Sequence, residues 1–290
     1  MNKRSQLLQS KKVLERRRKK RIVTYSLFSV AGISVIVAFV FLVNLSFFQI
    51  SKISFTGIES LDPKELQGSV ETALSGSSLS IFSKKSTFFV SKFAVEEVLL
   101  KNFKKIETLQ VSRDGFTGLM IDVVERKPVV LVCSGFHEVN TEEVDESCYF
   151  TDEKGYVFAP APEFSAGVYM RYYLSALDGE DLVGKDFIEL EKFQSLQNFV
   201  GSLSTRGIAV RGLLLADGGM YELYIKNTDQ SEAIIYFDDR SPFERTASNL
   251  IAFWDNSRTA KASKKNTTSS LPIFEYINLR FGNNIFYVLK

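Results

Sequence analysis

The chain carries one histidine, His137, and two cysteines, Cys133 and Cys148, in 290 residues. So little imidazole and thiol leaves few groups able to activate one another. His137 lies in a polar loop between the cysteines, and nothing places a nucleophile beside it, so a surface histidine is expected rather than a Ser-His-Asp or Cys-His centre. Cys133 and Cys148 have no second pair at metal-ligand spacing. No glycine-rich phosphate loop follows a strand pattern. The acid pairs Asp152-Glu153 and Asp238-Asp239 could in principle serve glycoside hydrolysis, but each falls at a strand end or turn, where carboxylates are ordinary. The expectation is a protein that is not an enzyme and holds no cofactor or metal.

Charge is equally absent from Ile22 to Val43, a run of mostly Val, Ile, Leu, Phe and Ala. As a helix it rises roughly 33 Å, enough to cross a hydrocarbon core of about 30 Å. The alternative, a cleaved signal peptide, usually has a shorter apolar region and a small-x-small cleavage site, and Asn44 to Phe48 is a poor one. A retained anchor in the lipid bilayer, over residues 22–48, is the preferred reading. The first 21 residues hold ten Lys or Arg against Glu15 alone, and Arg16 to Arg21 abuts the span. Basic flanks resist translocation, so residues 1–21 are expected to stay in the cytoplasm and the bulk of the chain to face outward.

Subtracting that tail reverses the net charge. The chain has 36 basic and 34 acidic residues, and without the tail's ten and one it keeps 26 and 33, about −7. An exported part of this sign is a poor candidate for nucleic acid or other polyanionic polymers. Roughly 240 residues beyond the span suffice for two modest domains.

The first of these reads as a compact α+β unit of strand, helix, helix, strand, strand. Ile50, Ile53 and Phe55 form a strand ended by Gly57. Asp62-Pro63-Lys64-Glu65 has the parts of a helix start, with Leu66, Val70, Ala73 and Leu74 at helical spacing behind it and Gly76 able to stop it. Leu79 to Phe82 is a short apolar insert, followed by a second helical face of Val95, Val98, Leu99 and Phe103. Ile106, Leu109 and Val111 make a strand. Leu119, Ile121 and Val123 alternate in the next, which Pro128 ends.

Beyond Pro128 the pattern is mainly β. Val129 to Val132 and Tyr149 to Phe150 read as strands flanking the cysteines, so a disulfide across one hairpin is expected, with two independent buried thiols as the alternative. Tyr149 to Phe158 reads as two strands around the turn Asp152 to Gly155, interrupted by Ala159 to Pro162. Leu190, Phe193, Leu196, Val200 and Leu203 share one helical face. Phe243 to Phe253 reads as a second helix ending near Trp254, and Ala260 to Ser270 as a polar loop. Short apolar runs between Ile208 and Phe237 suggest a meandering sheet, closed by Ile273 to Phe281, a turn at Gly282 to Asn284, and a terminal strand Ile285 to Leu289.

The series Ile50-xx-Ile53-x-Phe55-x-Gly57, the Leu79 to Phe82 insert, Val111-x-Arg113, and Leu119-x-Ile121-x-Val123-x-Glu125-Arg126-x-Pro128-Val129 resembles the POTRA domain of the FtsQ/DivIB cell-division proteins. Tyr276 to Phe281 is similar to that family's closing strand, with Asn278 in place of an Asp. The resemblance implies a basic cytoplasmic tail (1–21), a transmembrane helix (22–48), a β-α-α-β-β POTRA domain (49–128), and a mainly antiparallel β domain with packed helices (129–290). It also implies a bitopic scaffold at the division septum. Such a scaffold binds an FtsB/FtsL-type coiled-coil pair and other division proteins and influences septal peptidoglycan synthesis. The final hairpin is the implied partner site, with Phe281, Asn283, Tyr287 and Leu289 at the matching positions. A bland alternative makes Phe281 and Leu289 core and Tyr287 an ordinary strand aromatic, since half of such a strand faces inward. Two competing functions are a membrane-anchored cell-wall enzyme and a POTRA adaptor for secretion or assembly.

Overall fold

A computed structural model of the chain describes residues 3–43, 45–75, 77–78, 82–83, 86–87, 90–134, 147–163, 167–175, 182–262 and 272–290. His137 and most of the loop 260–270 lie outside them, as do Leu79 to Ile81 and Gly76. The chain divides into two compact units, Met1–Glu125 and Arg126–Lys290.

The first unit begins with helix α1, Lys3–Val43, which runs without a break from the basic tail through the apolar run. It is long and apolar enough over Glu15–Leu42 to cross a membrane, a test that a signal sequence also passes. Its large apolar side chains are uncovered by protein, which suits lipid rather than water. The helix stops at Val43, short of the expected residue 48, and Ser46–Phe48 form a separate 3-10 turn. The exit is tied down by Thr87, whose amide and hydroxyl both donate to the Phe48 carbonyl.

Strand β1 (Lys52–Thr56), helix α2 (Pro63–Ala73), the short strands β2 (Ser77–Ser78) and β3 (Phe82–Ser83), helix α3 (Lys92–Asn102), and strands β4 (Ile106–Asp114) and β5 (Gly118–Glu125) complete the unit. Asp62 caps α2 by accepting from the Lys64 amide, with Pro63 in the first turn, as the sequence led one to expect. The main sheet has the order β1-β5-β4, with β1 parallel and β4 antiparallel to the central β5. Leu119, Ile121 and Val123 of β5 are buried with Leu66 and Val70 of α2 and Val95 and Leu99 of α3. Gly57 is required where β1 ends. Its φ is +74°, and a Cβ there would stand 2.1 Å from the Val123 carbonyl oxygen.

Among the described residues, the second unit holds a nine-stranded sheet and two helices. Its strands are β6 (Val130–Ser134), β7 (Cys148–Thr151), β8 (Val157–Pro160), β9 (Met170–Leu174), β10 (Ala209–Ala216), β11 (Met220–Lys226), β12 (Glu232–Asp238), β13 (Phe274–Phe281) and β14 (Asn284–Leu289). Helix α4 (Leu190–Ser204) precedes β10, and α5 (Phe243–Ala262) precedes β13. The order is β14-β13-β12-β11-β10-β9-β6-β7-β8. Five neighbour pairs run antiparallel and three parallel, so the sheet is mixed, with antiparallel pairing in the majority.

Parallel neighbours need a crossover, and α4 and α5 provide two of them, between β9 and β10 and between β12 and β13. Both helices lay Phe193, Leu196, Phe199, Leu250 and Trp254 on one face of the sheet, over Tyr172, Leu213, Leu223, Ile235, Phe237 and Ile277.

Three expectations need correction here. Helix α5 does not end near Trp254 but continues to Ala262, because no Gly or Pro stands in Asp255 to Ala262 to stop it. Ala159 and Pro160 do not interrupt β8. They extend it, since at the sheet's edge a proline leaves no ladder hydrogen bond unmade. Strand β9, a central member of the sheet, was not foreseen at all.

Candidate functional site

Strands β13 and β14 form the last hairpin, and its position is fixed from two sides. Asn227, buried in the turn after β11, donates to the Phe274 carbonyl at 2.8 Å and accepts from the Phe274 amide at 3.1 Å, pinning the start of β13. At the other end Arg245 of α5 donates to the Asn283 side-chain oxygen at 3.1 Å, steadying the turn.

Register decides what each side chain faces. Ile277 stands opposite Tyr287 and Asn278 opposite Phe286, so Ile285, Tyr287 and Leu289 point to the helix-covered side and Phe286 and Val288 to the other. The Tyr287 ring lies 5.1 Å from Phe253 of α5 and 5.8 Å from Phe274, yet stays 49% exposed. Leu289 is 50% exposed, and Phe281 and Phe286 touch edge to face at 5.1 Å with 56% and 54% of their surfaces open. Phe281 and Leu289 are therefore not core residues, which overturns the bland alternative for those two. Phe286 belongs with them but escaped sequence reading, because every residue from Ile285 to Leu289 is apolar and the alternation of faces leaves no trace.

Beside Phe281 lies a cavity of about 520 Å³ walled by Met220, Asp238, Arg240 and Arg280. Arg240 donates from Nε to Asp238 at 2.8 Å and from Nη2 to the Arg280 carbonyl at 3.1 Å. Arg280 stacks 5.3 Å over the Tyr236 ring and donates to Asn278. Asp239 takes Lys192 at 2.9 Å, a hydrogen bond that raises the lysine's pKa. The two carboxylates of this acid pair thus engage different cations.

Among the described residues no strand pairs with the outer side of β14. The opposite edge, β8, is covered. The Val157 amide donates to the Lys185 carbonyl, its carbonyl accepts from Gly184, and Tyr156 bridges Asp186. Cys133 and Cys148 are partners across β6 and β7 and are joined in a disulfide.

Arg126 is ion-paired with the buried Asp152, which also caps its turn by accepting from the Lys154 and Tyr156 amides, and Arg126 lies 4.1 Å over the Tyr156 ring. Asp152 is a structural carboxylate. Glu125, the residue before Arg126 in the chain, accepts from the amides of Glu59, Ser60 and Leu61 and from the Ser60 hydroxyl. Partial burial pushes the Glu125 pKa up, but these donors outweigh it and hold the carboxyl below its usual range. Glu125 and Arg126 are therefore engaged side chains.

Among the described residues no group of three His, Cys, Asp or Glu could hold a metal ion. Comparison with protein-family models and with curated protein sequences finds no match for this chain.

Proposed function

We propose that this chain is a single-span division scaffold of the FtsQ/DivIB type, and that its final hairpin captures an FtsB/FtsL-type partner as an added strand. The observation that carries this reading is the outer side of β14, an open edge flanked by exposed Phe281, Phe286, Tyr287 and Leu289. An edge strand offers a row of backbone donors and acceptors to another chain, and proteins normally blunt such an edge. Backbone pairing supplies affinity, and the aromatics supply selectivity.

The β1-β5-β4 order with two helices in the first unit supports a POTRA-like reading, and the uninterrupted α1 with its basic N-terminal half supports an anchor with a cytoplasmic tail. The role is that of a binding protein and not an enzyme.

Phe281→Lys, and separately deletion of Ile285 to Lys290, should each abolish co-purification of the coiled-coil pair while the first unit stays folded. Wild-type recovery with both variants would place the partner site elsewhere. Depletion of the protein should give filaments or chains of undivided cells. Normal division with altered wall digestion would favour the anchored enzyme.

A further inference from the structure

The sheet face turned away from α4 and α5 holds a second concavity, at the opposite end of β11 from the cavity beside Phe281. Lys226 ends β11 and Met220 begins it, so the two sites are separated by the length of that strand, roughly 20 Å. The pocket has a volume of about 300 Å³ and is lined chiefly by Tyr169, Arg171, Tyr173, Arg211, Lys226 and Glu232.

Its construction is local. In β9 the Tyr172 side chain is fully buried on the helix side, so Arg171 and Tyr173 project together from the other. Arg211 stands at the irregularity between Val210 and Gly212 in β10, which turns it onto the same face. Gly212 lies against the Tyr173 ring. A Cβ there would meet the Tyr173 ring at 2.9 Å, so only glycine lets that ring lie down on the strand. Lys226 and Glu232 are cross-strand partners at the rim.

Among the described residues lining the pocket, Arg171, Arg211 and Lys226 stand beside one carboxylate, Glu232, in a chain that beyond its N-terminal tail carries a net charge of about −7, and the Lys226 ammonium also donates to the Gln230 side-chain oxygen at 3.2 Å. Cationic donors gathered around one concavity offer an anion several charge-assisted hydrogen bonds at once. Two guanidinium forks and an ammonium arriving from three strands suit a tetrahedral oxyanion better than a planar carboxylate, which one fork would satisfy. The volume, at the low end for small-molecule sites, leaves room for a carbon skeleton against the tyrosine rings.

We propose that this pocket binds a phosphate ester, with Arg171, Arg211 and Lys226 on the phosphate and Tyr169 and Tyr173 against the attached carbons. The ester can come from a soluble compound or from a lipid headgroup.

The test uses the full chain in nanodiscs of zwitterionic phosphatidylcholine, titrated calorimetrically with inorganic phosphate and with glycerol 3-phosphate. One equivalent of glycerol 3-phosphate should bind, more tightly than inorganic phosphate and more weakly as salt rises. Arg171→Gln and Arg211→Gln should each weaken binding at least tenfold with unchanged melting, and Arg113→Gln, on β4, should not. Gly212→Ala, which displaces the Tyr173 ring, should weaken glycerol 3-phosphate more than inorganic phosphate. Repeating the titration in nanodiscs containing phosphatidylglycerol separates the sources. Loss of the soluble ligand's heat there identifies the headgroup as the occupant, and an unchanged heat identifies a soluble ester. No binding in phosphatidylcholine nanodiscs, or binding that survives both arginine substitutions, overturns the proposal.

Discussion

The two ends of the nine-stranded sheet are treated in opposite ways. At the β8 end, proline stands in the outermost strand, the 184–187 segment covers its backbone, and a disulfide and a buried ion pair brace the strands behind it. At the β14 end the outermost strand has, among the described residues, one neighbouring strand, and it shows its aromatic side chains to solvent. An open edge is a hazard for any sheet, and the contrast between a closed end and an open one is what the partner site proposed at β14 requires.

The sharpest test of that contrast is Arg126→Ala. It strands Asp152, 3% exposed, without its cation, and should cost roughly 3–5 kcal/mol in chemical denaturation. Replacing Cys133 and Cys148 together by alanine should cost less, about 3 kcal/mol for a loop spanning 15 residues, and should show as faster proteolysis of the β6–β7 hairpin. At the other end Phe281→Ser should change stability by under about 1 kcal/mol, because more than half of that ring is already in water. A Phe281→Ser loss as large as that of Arg126→Ala would mean that the two ends are not built differently.

Sequence reading served the two units unequally. In the first, the signals are local. Asp62-Pro63 starts a helix, Leu119, Ile121 and Val123 alternate, and β4 and β5, adjacent in sequence, pair as a hairpin. In the second, the deciding pairings are distant. Both helices were legible from their apolar faces, yet nothing in them announces that each carries the chain between parallel strands. Met170 to Leu174 is only five residues long, and Tyr172 and Tyr173, though they face opposite sides, look alike in sequence. The same blindness hid Phe286. Residues Phe281, Tyr287 and Leu289 were singled out, but only register says which of them touches α5 and which faces away.

Strand β9 also sets the order in which the second unit can assemble. Its partners are β6, on the N-terminal side, and β10, beyond helix α4, and it runs parallel to both. No hairpin can form either pairing, and each must close a loop of some forty residues before any ladder bond rewards it. The β6–β8 meander and the β10–β12 meander can form early and separately, whereas their union waits on one five-residue strand. During that wait β6 and β10 both show bare edges. Slow docking of β9 would therefore lengthen the time for which a newly made chain is exposed to aggregation.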